Sequence, residues 1–170
     1  MLNVCYNFNN DTLGYYTSLL AAARNHRISP DVIAIKDMTA RATRRRLSEQ
    51  YASAIKEAMN TIVGDEYVFP VVFEHSLISQ HHALARTLSR AIGAPLMTIT
   101  FRKITDKFGE IHWRLKSIKA LGLAKAPKQY REVMNQSAPL FFSKRRFQNI
   151  KTPTYRYDLA ILVNPDEENP

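Results

Sequence analysis

Cysteine is nearly absent: Cys5 is the only one, so no disulfide can form within the chain, and a reducing compartment fits it. Glycine is scarce as well, five in 170 residues. None falls into the G-x-x-x-x-G-K-[S/T] or G-x-G-x-x-G spacing with which backbone amides cradle phosphates. Long apolar runs are missing; none approaches the ~20 residues that span a bilayer. No charged segment followed by an apolar stretch opens the chain, so a secretory leader is not expected. The expected location is cytoplasmic, with no membrane partner. Acids are in short supply, 15 Asp and Glu against 24 Lys and Arg, which leaves a net charge of +9. Such a balance suits nucleic acid, an acidic protein surface or an acidic neighbouring domain.

What is present suffices for one domain with a real core, since 45% of the residues are hydrophobic. Leu2 to Phe8 and Val32 to Ile35 read as short strands. A first helix is expected from Asp11 or Thr12 to near Asn25, on the spacing of Leu13, Tyr16, Leu20 and Ala23. A second should run from Thr39 to about Asn60, with Leu47, Tyr51, Ile55, Ala58 and Ile62 in one stripe and an arginine run opposite. Tyr67 to Phe73 reads as a strand that Pro70 confines to an edge or a bulge. A third helix carries Leu77, His81, Leu84, Leu88 and Ile92 inward and stops at Gly93. Met97 to Lys116 forms a hairpin with one apolar face and one basic face. Pro127 suits the first turn of a fourth helix, with Tyr130, Met134 and Ala138 inward, and Pro139 should end or kink it. Lys151 to Tyr155 reads as a linker, and Leu159 to Val163 as a strand buried on both faces. The expected fold is α+β: a small mixed sheet of about five short strands, including an antiparallel hairpin, packed by about four helices. The apolar run so near the end implies a natural protein that continues past Pro170.

Several segments resemble a known family. Leu13-Gly14-Tyr15-Tyr16-Thr17-Ser18-Leu19-Leu20-Ala21-Ala22-Ala23-Arg24, followed by His26, is similar to the opening motif of the RimK-like ATP-grasp N-terminal domain. Ala94-Pro95-Leu96 leading into Ile99 to Arg102, and then Trp113 to Ile118, look like its hairpin. Tyr157 to Val163 with Pro165 resembles the first strand of a module that precedes the ATP-grasp fold. The resemblance implies an accessory domain at 1–150, then a linker and that first strand at 151–170. It also implies a full-length ligase that activates a carboxylate with ATP and Mg²⁺ and joins it to an amine. That chemistry would lie in the downstream module, the partner in cis; this chain holds no cofactor of its own and no catalytic residue.

Candidate sites follow from the residues. Asn7, Asn9 and Asn10 lead into a helix N-terminus with Gly14 and Tyr15 in its first turn, and ligands favour such a strand-to-helix edge. Asx turns that serve only the backbone are the competing reading. Arg44, Arg45 and Arg46, beside Arg41, form one basic group; Arg102, Arg114 and Lys116 form another on the polar hairpin face. That face has no aromatic besides His112, so stacking platforms for RNA bases are missing. An acidic protein or peptide acceptor is the expected partner, with RNA as the alternative. His75, His81 and His82 lack the converging geometry and spacing of a zinc site, so no metal is expected. Cys5 is expected to be a buried structural residue, and Glu167-Glu168-Asn169 a solvated linker.

Overall fold

A computed structural model describes residues 1–122 and 128–143. Its framework is a three-stranded antiparallel sheet in the order β1-β2-β3, built from β1 (Glu66–Val72), β2 (Leu96–Thr105) and β3 (Ile111–Ala120). Among the described residues six helices surround it: α1 (Leu13–Ala23), α2 (Val32–Thr39), α3 (Arg41–Gln50), α4 (Ala52–Met59), α5 (His82–Ile92) and α6 (Tyr130–Ser143). The fold is α+β as expected, with three strands among the described residues. The segments expected at 151–170 lie outside them.

Odd-numbered residues of β2 point to one side: Met97, Ile99 and Phe101 are fully buried with Phe69 and Val71 of β1. Leu47, Ile55, Met59, Leu84, Leu88 and Ile92 complete this main core from the helices. A smaller core lies on the other side, where Val72 and Leu96 meet Tyr130 and Phe141 of α6. Burying one aromatic or branched side chain stabilises by about 1.5–3 kcal/mol, so the two clusters fix where α3–α5 and α6 sit.

Four expected elements need correction. Leu2 to Phe8 is not a strand; Leu2 makes one isolated bridge to Ser29. The buried Asn3 amide binds the Gly14 carbonyl at 2.7 Å and the Ser18 hydroxyl at 3.0 Å, so side-chain hydrogen bonds hold this segment to α1. Val32 to Ile35 is the start of helix α2, not a strand. Asp31 accepts the Ala34 N–H at 2.7 Å as N-cap, and Ala34, Ile35 and Met38 form a buried stripe, which outweighs the β-branched character of Val32 and Ile33. The long second helix is interrupted at Ala40 and again at Tyr51, whose φ and ψ of −111° and 22° leave the helical region. Its apolar stripe survives, because Tyr51 N–H still bonds Leu47 and Ile55 N–H bonds Tyr51. Of the two outcomes expected at Pro139, an end or a kink, the end is not found, since the last helix runs on to Ser143; Pro127 lies outside the described residues.

Leu77, expected on the inward face of the third helix, precedes α5 and is exposed, and α1 buries Gly14, Ser18 and Ala21 while Leu13, Tyr16 and Leu20 are exposed. Three other expectations hold. Pro70 sits in edge strand β1, in unbroken register opposite Thr98. Gly93 closes α5 with a left-handed φ of 78°. The hairpin forms, but its pairing slips between Thr100 and Phe101, so that Thr100 faces Ser117 while Phe101 faces Leu115. Lys116 is the extra residue. This bulge lets both Leu115 and Ile118, three apart, face the main core.

Candidate functional site

The outer edge of β3 would expose unpaired backbone groups if nothing covered it. Helix α3 lies along it. Ser48 of α3, 5% exposed, accepts the Leu115 N–H at 2.9 Å and donates its own proton to the Arg44 carbonyl at 2.7 Å. That contact brings the two basic groups of the sequence together. Arg41, Arg44 and Arg45 from α3 and Arg114 and Lys116 from β3 line one cleft of about 250 Å³ together with Ser48 and Leu115, and no acid lines it among the described residues.

Few of these charges are neutralised. Arg45 pairs with Glu49 one turn on at 2.9 Å, and Lys116 with Glu66 at 2.6 Å. Arg44 donates to the Thr39 carbonyl at 2.7 Å, which leaves its charge uncompensated. Arg41 and Arg114 have no partner among the described residues. Converging cations of this kind raise the local positive potential and draw anions. Arg102 lies opposite Arg114 on the sheet face away from the main core, and Glu66 bonds both Arg102, at 2.7 Å, and Lys116. Those two cations, Lys116 first, hold the Glu66 carboxyl below its ordinary pKa. Arg46 stands apart, 3.4 Å from the Gln50 amide oxygen. The basic surface therefore runs from the β1–β2 face, round the edge of β3, to α3.

The asparagine-rich edge is divided. Gly14 is a packing residue: a Cβ there would run into the Asn7 carbonyl and sit 2.9 Å from the Cys5 Cβ. The Asn7 side chain accepts the Asn9 N–H at 3.0 Å, while the Thr12 hydroxyl reaches the Asn9 carbonyl at 2.7 Å. Asn9, Asn10 and Tyr15 line a hollow of about 360 Å³ with Lys36 and Thr39. Asn7 and Asn9 also line a groove of about 630 Å³ whose opposite wall is Ser117 to Gly122. Arg44 belongs both to that groove and to the basic cleft.

His75 and His82 pack edge to face with ring centroids 5.5 Å apart, and the only candidate metal-ligating cluster among the described residues lies elsewhere. His81 is fully buried between Tyr67 and Phe69, and its Nε2–H donates to the Ala58 carbonyl at 2.8 Å. Burial pushes its pKa down. His75 and His82 each give a ring N–H to a backbone carbonyl, of Phe73 at 2.8 Å and Ser76 at 2.6 Å. Asp106, Glu110 and His112 do come together at the hairpin tip. Asp106 accepts the Phe108 and Glu110 N–H groups there, at 2.8 and 2.9 Å, which accounts for its place as a turn cap. Cys5 is half-buried beside α1 and lies outside any strand, unlike the buried core-strand position expected of it.

One feature had no sequence signal. Val72 and His75 exchange both backbone hydrogen bonds at 2.9 Å across Phe73 and Glu74, whose φ values are 48° and 70°. Two successive non-glycine residues in the left-handed region cost roughly 1–3 kcal/mol each. Such turns normally use Asn-Gly. Here both side chains are buried, and Glu74 lies 3.4 Å from the Arg90 Nε of α5.

For ATP, the described residues offer no glycine-rich phosphate loop, and the one glycine in a helix's first turn, Gly14, is sealed against Cys5 and Phe8. No helix among the described residues is long and apolar enough to cross a membrane. No curated protein and no solved structure matches the sequence. A family model does, the RimK-like ATPgrasp N-terminal domain, over residues 1–137 from the first residue into α6, and the chain belongs to that family.

Proposed function

We propose that this chain is a non-catalytic accessory domain of a RimK-like ATP-grasp carboxylate–amine ligase, and that it recruits an acidic protein or peptide acceptor. ATP and Mg²⁺ would act in the ligase module in cis. Family membership supports the first part. The observation that carries the second is the cleft between α3 and β3, lined among the described residues by five cations and no acid. Acidic side chains would enter this cleft. The acceptor backbone would follow the groove that shares Arg44, where the Asn7 and Asn9 amides offer both donors and acceptors. RNA is the less favoured occupant, because none of the cleft's lining residues among those described is aromatic and base stacking supplies much of single-strand affinity.

Two titrations test this reading. A labelled hexaglutamate peptide and a hexauridine RNA are each titrated with the purified chain at physiological salt. Preference for the peptide is expected, together with no ATP turnover. Submicromolar RNA affinity, weakened in an Arg44/Arg45/Arg46 triple glutamine variant with a salt slope lower by about 0.7 per lost contact, would replace it with an RNA-binding module. ATP hydrolysis by the chain would refute the non-catalytic assignment.

A further inference from the structure

A second cavity, on another side of the domain, has a different charge pattern. It measures about 210 Å³ and lies between the 27–31 loop, the end of α5 and α6. The ~150 Å³ that accommodates benzene is a useful comparison; this space takes a ligand somewhat larger. Its apolar wall includes Ile28, Pro95 and Phe141, and its polar wall holds, among the described residues, two cations and two carboxylates: Arg27, Arg90, Asp31 and Glu74.

Each charged residue has a distinct state. Arg27 is exposed and has no carboxylate partner among the described residues. Arg90, half exposed, meets Glu74 through Nε only. Asp31 caps α2 through Oδ1 and leaves Oδ2 without a protein donor among the described residues. Glu74 is 2% exposed and held on the strained turn after β1, so the cavity wall includes a buried carboxylate on a left-handed non-glycine backbone. Backbone strain of this kind clusters at active sites and ligand clamps.

We propose that this cavity binds a small zwitterion of the α-amino-acid class with an apolar side chain. Arg27 and Arg90 hold its carboxylate, Asp31 its ammonium group, and Phe141 and Pro95 pack on its side chain. Glu74 acts as a positioning residue that fixes Arg90. The charge pattern favours a zwitterion because a simple acid would leave Asp31 unmatched, and a simple amine would leave Arg27 unmatched.

The test is calorimetric titration of the purified chain with L-leucine, 4-methylpentanoate and isoamylamine, which share one branched body. Leucine is expected to bind with a dissociation constant below ~1 mM, and the two single-charge analogues at least about tenfold more weakly, each having lost a charge-assisted pair. Arg27→Gln removes an exposed cation, and Asp31→Asn keeps an equally good helix cap. Both should therefore fold and weaken leucine binding about tenfold or more. Arg45→Gln, in the other cleft, should leave it unchanged. Absence of leucine binding at ~10 mM, well above the weakest affinity expected, would overturn the proposal. So would equal binding of 4-methylpentanoate, or leucine affinity unmoved in both Arg27→Gln and Asp31→Asn.

Discussion

Replacing Ser48 with alanine tests whether α3 is fastened to the edge of β3, on which the basic cleft depends. The Ser48 hydroxyl is the acceptor for the buried Leu115 N–H at 2.9 Å. Leu115 is 6% exposed, so water cannot readily take its place. An orphaned buried donor costs about 1–3 kcal/mol. The loss of the bond to the Arg44 carbonyl adds little, since that group remains within α3. Alanine's better helix propensity returns up to ~0.7 kcal/mol. A net loss of about 1–2 kcal/mol follows, which in a domain of this size lowers Tm by roughly 2–8 °C. Thermal unfolding followed by circular dichroism gives the first readout. Hydrogen exchange at the Leu115 amide gives the second, and that amide should lose protection. Ser53→Ala, at an exposed position in α4, is the control and should be neutral or slightly stabilising. A Ser48→Ala Tm within about 1 °C of wild type, below the range just derived, with Leu115 protection unchanged, would refute the reasoning.

Three further outcomes are expected. Gly14→Ala should destabilise by about 1–3 kcal/mol despite the better helix propensity, because its Cβ would press on Asn7 and Cys5; urea unfolding measures it. His81 is buried with its pKa held low, so the unfolded chain takes up the proton first on acidification. Its contribution to stability is therefore full above the ordinary histidine value near ~6.5 and falls as the pH drops from there through the folded pKa. His81→Gln should flatten the wild-type loss of urea midpoint across that window. Glu66→Gln should release Arg102 and Lys116 and tighten acidic-peptide binding by a factor of a few at low salt, an effect that ~1 M salt removes. Its exposed pairs contribute little to stability, so thermal unfolding should barely change.

Where local chemistry decided the structure, the sequence was readable. The alternation of Met97, Ile99 and Phe101, the stop at Gly93 and the edge placement of Pro70 all rest on near neighbours. The bulge left a readable trace as well: Leu115 and Ile118, three apart, cannot share one face of an unbroken strand, and the regular alternation assumed for β3 overlooked it. Helix α2 was not legible in Val32 to Ile35, whose β-branched residues suit a strand, and it is the Asp31 cap that starts the helix. The site was legible only in halves. The arginines of α3 and the basic residues of β3 are each plain in the sequence, yet they meet through the Ser48–Leu115 bond, 67 positions apart. That juxtaposition brought Arg41 into the cleft and left Arg46 out. The Phe73–Glu74 turn was illegible, since neither residue type signals a left-handed backbone.

The most direct test of the central claim is the affinity of a labelled hexaglutamate peptide for the wild-type chain and for an Arg41→Gln/Arg114→Gln double variant. Neither arginine has a partner among the described residues, so the variant should fold with wild-type Tm. The account predicts salt-dependent binding by wild type and a loss of about tenfold or more in the variant, from two charge-assisted contacts. Equal affinity in the two proteins, or no binding by wild type at low salt, would contradict it.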